Sequence, residues 1–154
     1  MLSQWRVLAM AALALGGASC GSDAVAGPTL TQLQGQWTMS WTESGGGLTC
    51  TWSEVELSLR DSTAVPQTLW AGGHGVCTGL FENANLTLSG FPLDTLVVDA
   101  GHIVFTPRGS GYRFEGSVTT DEMSGTMSAN TFYTPVGARV PTTGHWQALR
   151  QSAP

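Results

Sequence analysis

The chain contains no lysine. All six basic residues are arginine, set against eleven carboxylates, for a formal net charge of −5 over 154 residues. Nucleic-acid binding draws on clustered Lys and Arg. Beyond residue 20 the arginines are Arg60, Arg108, Arg113, Arg139 and Arg150, all isolated, so no nucleic-acid partner is expected. Charged residues make up only 11% of the chain, which argues against the strongly charged composition of a disordered one. No apolar run reaches the roughly 20 residues that cross a bilayer as a helix. No segment sustains a helical period. Histidines and cysteines number three each. His74 stands three residues before Cys77, but no second pair completes the four ligands of a structural zinc. No metal and no cofactor is expected.

Convergent acid–base chemistry is also missing. His74 sits in Gly72-Gly73-His74-Gly75, which lacks the Lys-Ser/Thr ending of a phosphate loop. His102 follows the turn-forming Asp99-Ala100-Gly101 and reads as a surface residue, and His145 alternates with Trp146 and faces solvent. Glu54 and Glu56 alternate on a strand and read as a solvated face rather than the paired carboxylates of a glycosidase. Asn85-Leu86-Thr87 matches a glycosylation acceptor, read here as chance in a chain with a bacterial-type leader. A non-catalytic protein is expected.

What is present begins at the N-terminus. Arg6, the apolar run Val7 to Leu15 and the small residues Gly16 to Ser19 have the order of a secretory signal peptide. The small residues ending in Cys20 resemble a bacterial lipobox, although Gly17 stands where leucine is usual. That resemblance implies a diacylglycerol on Cys20 and attachment to a membrane surface of the cell envelope. A competing cleavage after Ala24-Val25-Ala26 gives a soluble periplasmic or secreted protein. The expected organisation is a signal peptide over 1–19, the lipidated Cys20 and a flexible tether over 20–32, a β-barrel domain over 33–150 and a tail over 151–154. Either route leads to an oxidising compartment, where Cys50 and Cys77 form a disulfide by default.

After Leu33 the chain alternates with period two, the mark of half-buried strands. Trp37, Met39 and Trp41 alternate with Thr38, Ser40 and Thr42. Val55, Leu57 and Leu59 do so with Glu56, Ser58 and Arg60. A turn at Thr120-Asp121 sets Val118 opposite Met123, Gly116 opposite Gly125 and Phe114 opposite Met127, all on one face. A turn between Thr63 and Ala64 sets Leu57 opposite Trp70, and the same register sets Cys50 opposite Cys77. Bridging them closes loop 50–77, worth about 3–4 kcal/mol in loop-entropy terms. Sequential hairpins without a crossover predict a small antiparallel up-and-down β-barrel of about eight strands, counting residues 85–98 as one strand broken near Pro92, or nine if they form two.

Gly35-Gln36-Trp37 opens the first strand and resembles the Gly-x-Trp start of lipocalins and avidins. That likeness implies a calycin-like barrel in which the late Arg150 packs over Trp37 at closure. "LQGQWTMS", residues 33 to 40, in a two-cysteine body is similar to the periplasmic inhibitors of secreted bacterial metalloproteases. There the segment before the barrel, here 21–34, enters the protease cleft. The expected function is a non-catalytic envelope lipoprotein that binds a small apolar ligand. The alternatives are a protein-binding barrel such as a protease inhibitor, and a structural envelope protein. The expected binding end lies opposite Trp37, with loops 43–48, 78–85, 107–111 and 131–143. Its ligand-facing residues are Trp41, Trp52, Tyr112, Phe132 and Tyr133, with Arg108 as a cation.

Metabolic labelling with a fatty acid should mark the protein and should cease in Cys20→Ala; label that survives the substitution removes Cys20 as the attachment point.

Overall fold

A computed structural model of the chain describes residues 26–60, 69–79, 84–87, 91–133 and 138–152. The signal peptide, Cys20, the turn expected over 61–66 and much of loop 78–85 lie outside the described residues. The architecture is all-β. A four-residue helix α1 (Leu30–Leu33) precedes β1 (Gly35–Gly45), β2 (Leu48–Leu59), β3 (Leu69–Ala71), β4 (His74–Gly79) and β5 (Ala84–Thr87). There follow β6 (Phe91–Asp99), β7 (His102–Pro107), β8 (Tyr112–Val118), β9 (Glu122–Tyr133) and β10 (Ala138–Arg150).

The strands form one antiparallel sheet in the order β1-β10-β9-β8-β7-β6-β3-β2-β4-β5, and β1 also pairs with β2. The pairing path thus returns to its start. Ten segments occupy eight lanes. β3 and β4 share one lane, since Leu57 pairs with Trp70 and Cys50 with Cys77 in continuous register. β5 and β6 share the next, since His74 pairs with Thr87 and Leu69 with Pro92. Pro92 itself pairs with Leu69, and the strand expected over 85–98 is divided near it, with β5 ending at Thr87 and β6 beginning at Phe91. The curved wall is not fully closed. Only Leu69–Pro92 and Trp70–Phe91 join β3 to β6, and β5 pairs only with β4 among the described residues.

Register follows the alternation of apolar residues. Val118–Met123, Gly116–Gly125 and Phe114–Met127 pair across β8 and β9. The β1–β2 hairpin turns on Gly46 and Gly47, both at positive φ (58° and 80°), as a two-residue hairpin with the native strand twist requires. The strands reach this turn directly, so loop 43–48 contracts to two residues. Loop 131–143 likewise contracts to 134–137, because β9 runs to Tyr133 and β10 starts at Ala138.

One irregularity decides which side chains face inward on β2. The register to β1 shifts between Met39–Val55 and Trp41–Trp52, so Ser53 and Glu54 together oppose Ser40. Glu54 takes up the extra residue at φ 57°, the signature of a β-bulge. The inward set changes from Leu48, Cys50 and Trp52 to Val55, Leu57 and Leu59, all buried. Cys50 and Cys77 lie directly opposite, both buried, and are joined in a disulfide with Cα atoms 4.0 Å apart.

The end where β1 begins is plugged. Thr29 and Gln32 make a reciprocal capping box on α1, and Leu33 is fully buried. The Trp37 indole Nε1 donates to the Leu33 carbonyl at 3.0 Å. Arg150 lies with its guanidinium 5.3 Å from the Trp37 ring centroid. It donates to the carbonyls of Thr120 (3.0 Å), Gln32 (2.8 Å) and Gln34 (2.5 Å). Residues 26–32, expected as part of a flexible tether, are therefore packed on the barrel. Gly27 sits so close that a Cβ there would lie 1.9 Å from the Gly101 amide nitrogen.

Gly75 is buried beneath the Trp52 ring, where a Cβ would lie 2.5 Å from two ring carbons. Gly75→Ala is expected to cost about 1–3 kcal/mol by overpacking. Chemical unfolding followed by tryptophan fluorescence reads this out, and an unchanged midpoint would show that the ring has room to shift.

Candidate functional site

The end opposite Trp37 gathers three of the residues singled out from the sequence. Trp41 and Trp52 stack with ring centroids 5.3 Å apart, and Tyr112 meets Trp41 edge-on at 5.6 Å. None forms an open rim. Trp41, Trp52 and Tyr112 are 3%, 4% and 6% exposed, and their rings continue into Phe114, Phe105 and Trp146. Phe105 and Phe114 stack at 4.8 Å, and Trp146 meets Phe105 edge-on at 5.3 Å. The aromatics are the upper layer of a packed core.

The polar atoms of this layer converge on Glu43, which is 2% exposed. Its Oε1 accepts from Tyr112 Oη at 2.7 Å, Trp52 Nε1 at 2.9 Å and Trp41 Nε1 at 3.4 Å. Its Oε2 accepts from the buried Thr142 Oγ1. No cation forms an ion pair with Glu43 among the described residues. Its two oxygens are met by neutral donors, in a setting where a buried polar group left without partners would be costly. Position selects these residues. Glu43 is the next inward position after Trp41 on β1, and Thr142 lies four before Trp146 on β10. Trp52 faces Glu43 through the register set by the Gly46–Gly47 turn, which pairs Trp41 with Trp52.

The remaining expected residues stand apart. Arg108 lies exposed on the β7–β8 turn, and its Nε donates to Asp94 Oδ1 at 2.6 Å. It therefore serves a surface ion pair rather than the aromatic layer. Phe132 and Tyr133 belong to β9, where their backbones pair with Arg139 and Ala138, and not to a loop; their side chains lie outside the described residues. Of the arm expected over 21–34, residues 26–34 are held at the opposite end by α1 and Arg150. His74 and His102 are exposed beside Glu54 (4.0 Å) and Glu115 (3.5 Å).

Concavity is found on the outside of the wall. A groove of about 580 Å³ crosses β1, β10, β9 and β8, and a smaller one of about 260 Å³ adjoins it over β1. The larger is lined by Thr42, Ser44, Arg113, Glu115, Thr126, Ser128, Thr143 and His145, with Met127 and Gly144 between them. The lining was missed from the sequence because each residue, taken singly, is an ordinary outward position of a half-buried strand.

No protein-family model, curated protein or solved structure matches the chain.

Glu43→Leu removes both acceptor oxygens from Tyr112, Trp52, Trp41 and Thr142. A loss of about 2–4 kcal/mol is expected, since buried donors stay unmet. Guanidinium unfolding monitored by tryptophan emission measures it; full wild-type stability would mean that the four donors have other partners.

Proposed function

We propose that this protein is a non-catalytic lipoprotein of the bacterial cell envelope whose barrel works through its outer surface. The observation that carries this reading is the filled interior. The rings of Trp41, Trp52, Tyr112, Phe114, Phe105 and Trp146 pack on one another in the core, and Trp37 is buried at its base. Glu43 consumes the polar atoms at one end, and α1 with Arg150 caps the other. A calycin-like binder of apolar ligands needs a hollow, mostly apolar pocket, whereas the two grooves described above lie on the outside of the wall. The protein-binding and structural alternatives are therefore favoured over the small apolar ligand.

The exported leader, the Cys20 lipobox and the disulfide-bonded body support the envelope assignment. The inhibitor version of the reading is left with a short arm. Residues 26–34 are engaged by the barrel, so only those between Cys20 and residue 26 remain to enter a cleft.

Native mass spectrometry of the full chain purified from its own envelope tests the reading. The expected spectrum shows the protein free of any stoichiometric apolar small molecule. A lipid or other apolar compound retained one-to-one would reinstate the interior as the binding site.

A further inference from the structure

Cross-strand register turns the outer groove into an ordered array. Thr42 pairs with His145, His145 with Thr126 and Thr126 with Glu115. One ladder step away, Ser44 pairs with Thr143, Thr143 with Ser128 and Ser128 with Arg113. Two parallel rows of four outward side chains thus run across four strands. At a strand spacing of about 4.8 Å each row spans roughly 14 Å. The cause of the concavity is on the inward face. The inward position between the rows on β10 is Gly144, where a Cβ would lie 1.8 Å from the Thr42 carbonyl oxygen. With no side chain to hold the wall out, β10 closes on β1 and the outer surface dips.

The lining has a definite chemistry. Five hydroxyls, from Thr42, Ser44, Thr126, Ser128 and Thr143, each donate and accept. One of them, Ser44, already shares a bond with Thr49 at 3.1 Å. The only charges are Arg113 and Glu115, which pair with each other at 2.9 Å, so the groove is close to neutral. An anionic polymer finds no free cation cluster. An apolar ligand finds Met127 as the groove's apolar side chain, and that one is buried. An extended peptide cannot add to the sheet here, because these strands have neighbours on both sides and their backbone groups are already paired.

We propose that this groove binds an uncharged, hydroxyl-rich glycan. Sugar hydroxyls match a surface whose groups both donate and accept, and the Arg113–Glu115 fork supplies oriented partners at one end of the rows. The proposal rests on the reading that the protein acts through its outer surface, and it names the ligand class for that surface.

The test is co-sedimentation of the full chain with chitin, cellulose and amylose. It is followed by titration with the soluble oligosaccharide of whichever polymer binds. The double variant Thr126→Val, Thr143→Val removes two central hydroxyls while keeping β-branched shape. It is expected to bind about tenfold more weakly at unchanged thermal midpoint. Thr78→Val, exposed on β4 away from the groove, should bind as wild type. Should the double variant lose stability, Arg113→Gln at the end of the rows provides the same reading. Absence of binding to all three polymers overturns the proposal, as does binding that neither groove variant weakens. A protein partner captured at the groove in place of a glycan also overturns it, while leaving the outer-surface reading in force.

Discussion

A carboxylate inside an aromatic core has to be solvated by the protein itself, and Glu43 sets that condition for the upper half of this barrel. Four donors must reach two oxygens from β1, β2, β8 and β10. This fixes where those strands stand relative to one another. It also explains why the Glu54 bulge is tolerated at a backbone angle unfavourable for a side chain. Without the extra residue, Trp52 and the Val55–Leu59 set would face opposite sides of the wall. Either the donor to Glu43 or the lower core would then turn to solvent. The two ends of the molecule are each organised around one polar side chain. The buried Glu43 carboxyl gathers side-chain donors at the top, while the Arg150 guanidinium gathers backbone carbonyls and an indole face at the bottom.

Much of this was legible in the sequence, for a physical reason. Strand alternation fixes facing, and a tight turn fixes pairing. The partners Phe114–Met127, Leu57–Trp70 and Cys50–Cys77 therefore follow from apolar spacing and turn position. What escaped has equally physical causes. Glu43 and Thr142 are inward positions filled by polar residues, so alternation seemed to stop before the strands did. That shortened the strands expected at β1 and β10. The signal for the bulge was present but faint, as two consecutive polar residues, Ser53 and Glu54, between two inward apolar ones. The groove could not be read at all, because it depends on what Gly144 lacks on the other side of the wall.

The sealed base has a mechanical meaning. Among the described residues, a pull from the N-terminal side meets the Gly27 contact and α1 first. These are few and yield one at a time. The load then falls on β1 along its own axis. That strand is laced on one edge to β10 from Trp37 to Ser44 and on the other to β2 from Gly35 to Gly45. Strands drawn lengthwise past two antiparallel neighbours must break many hydrogen bonds together instead of in succession. A body tethered through this terminus would resist tension by shear, with the short helix giving way before the barrel is strained.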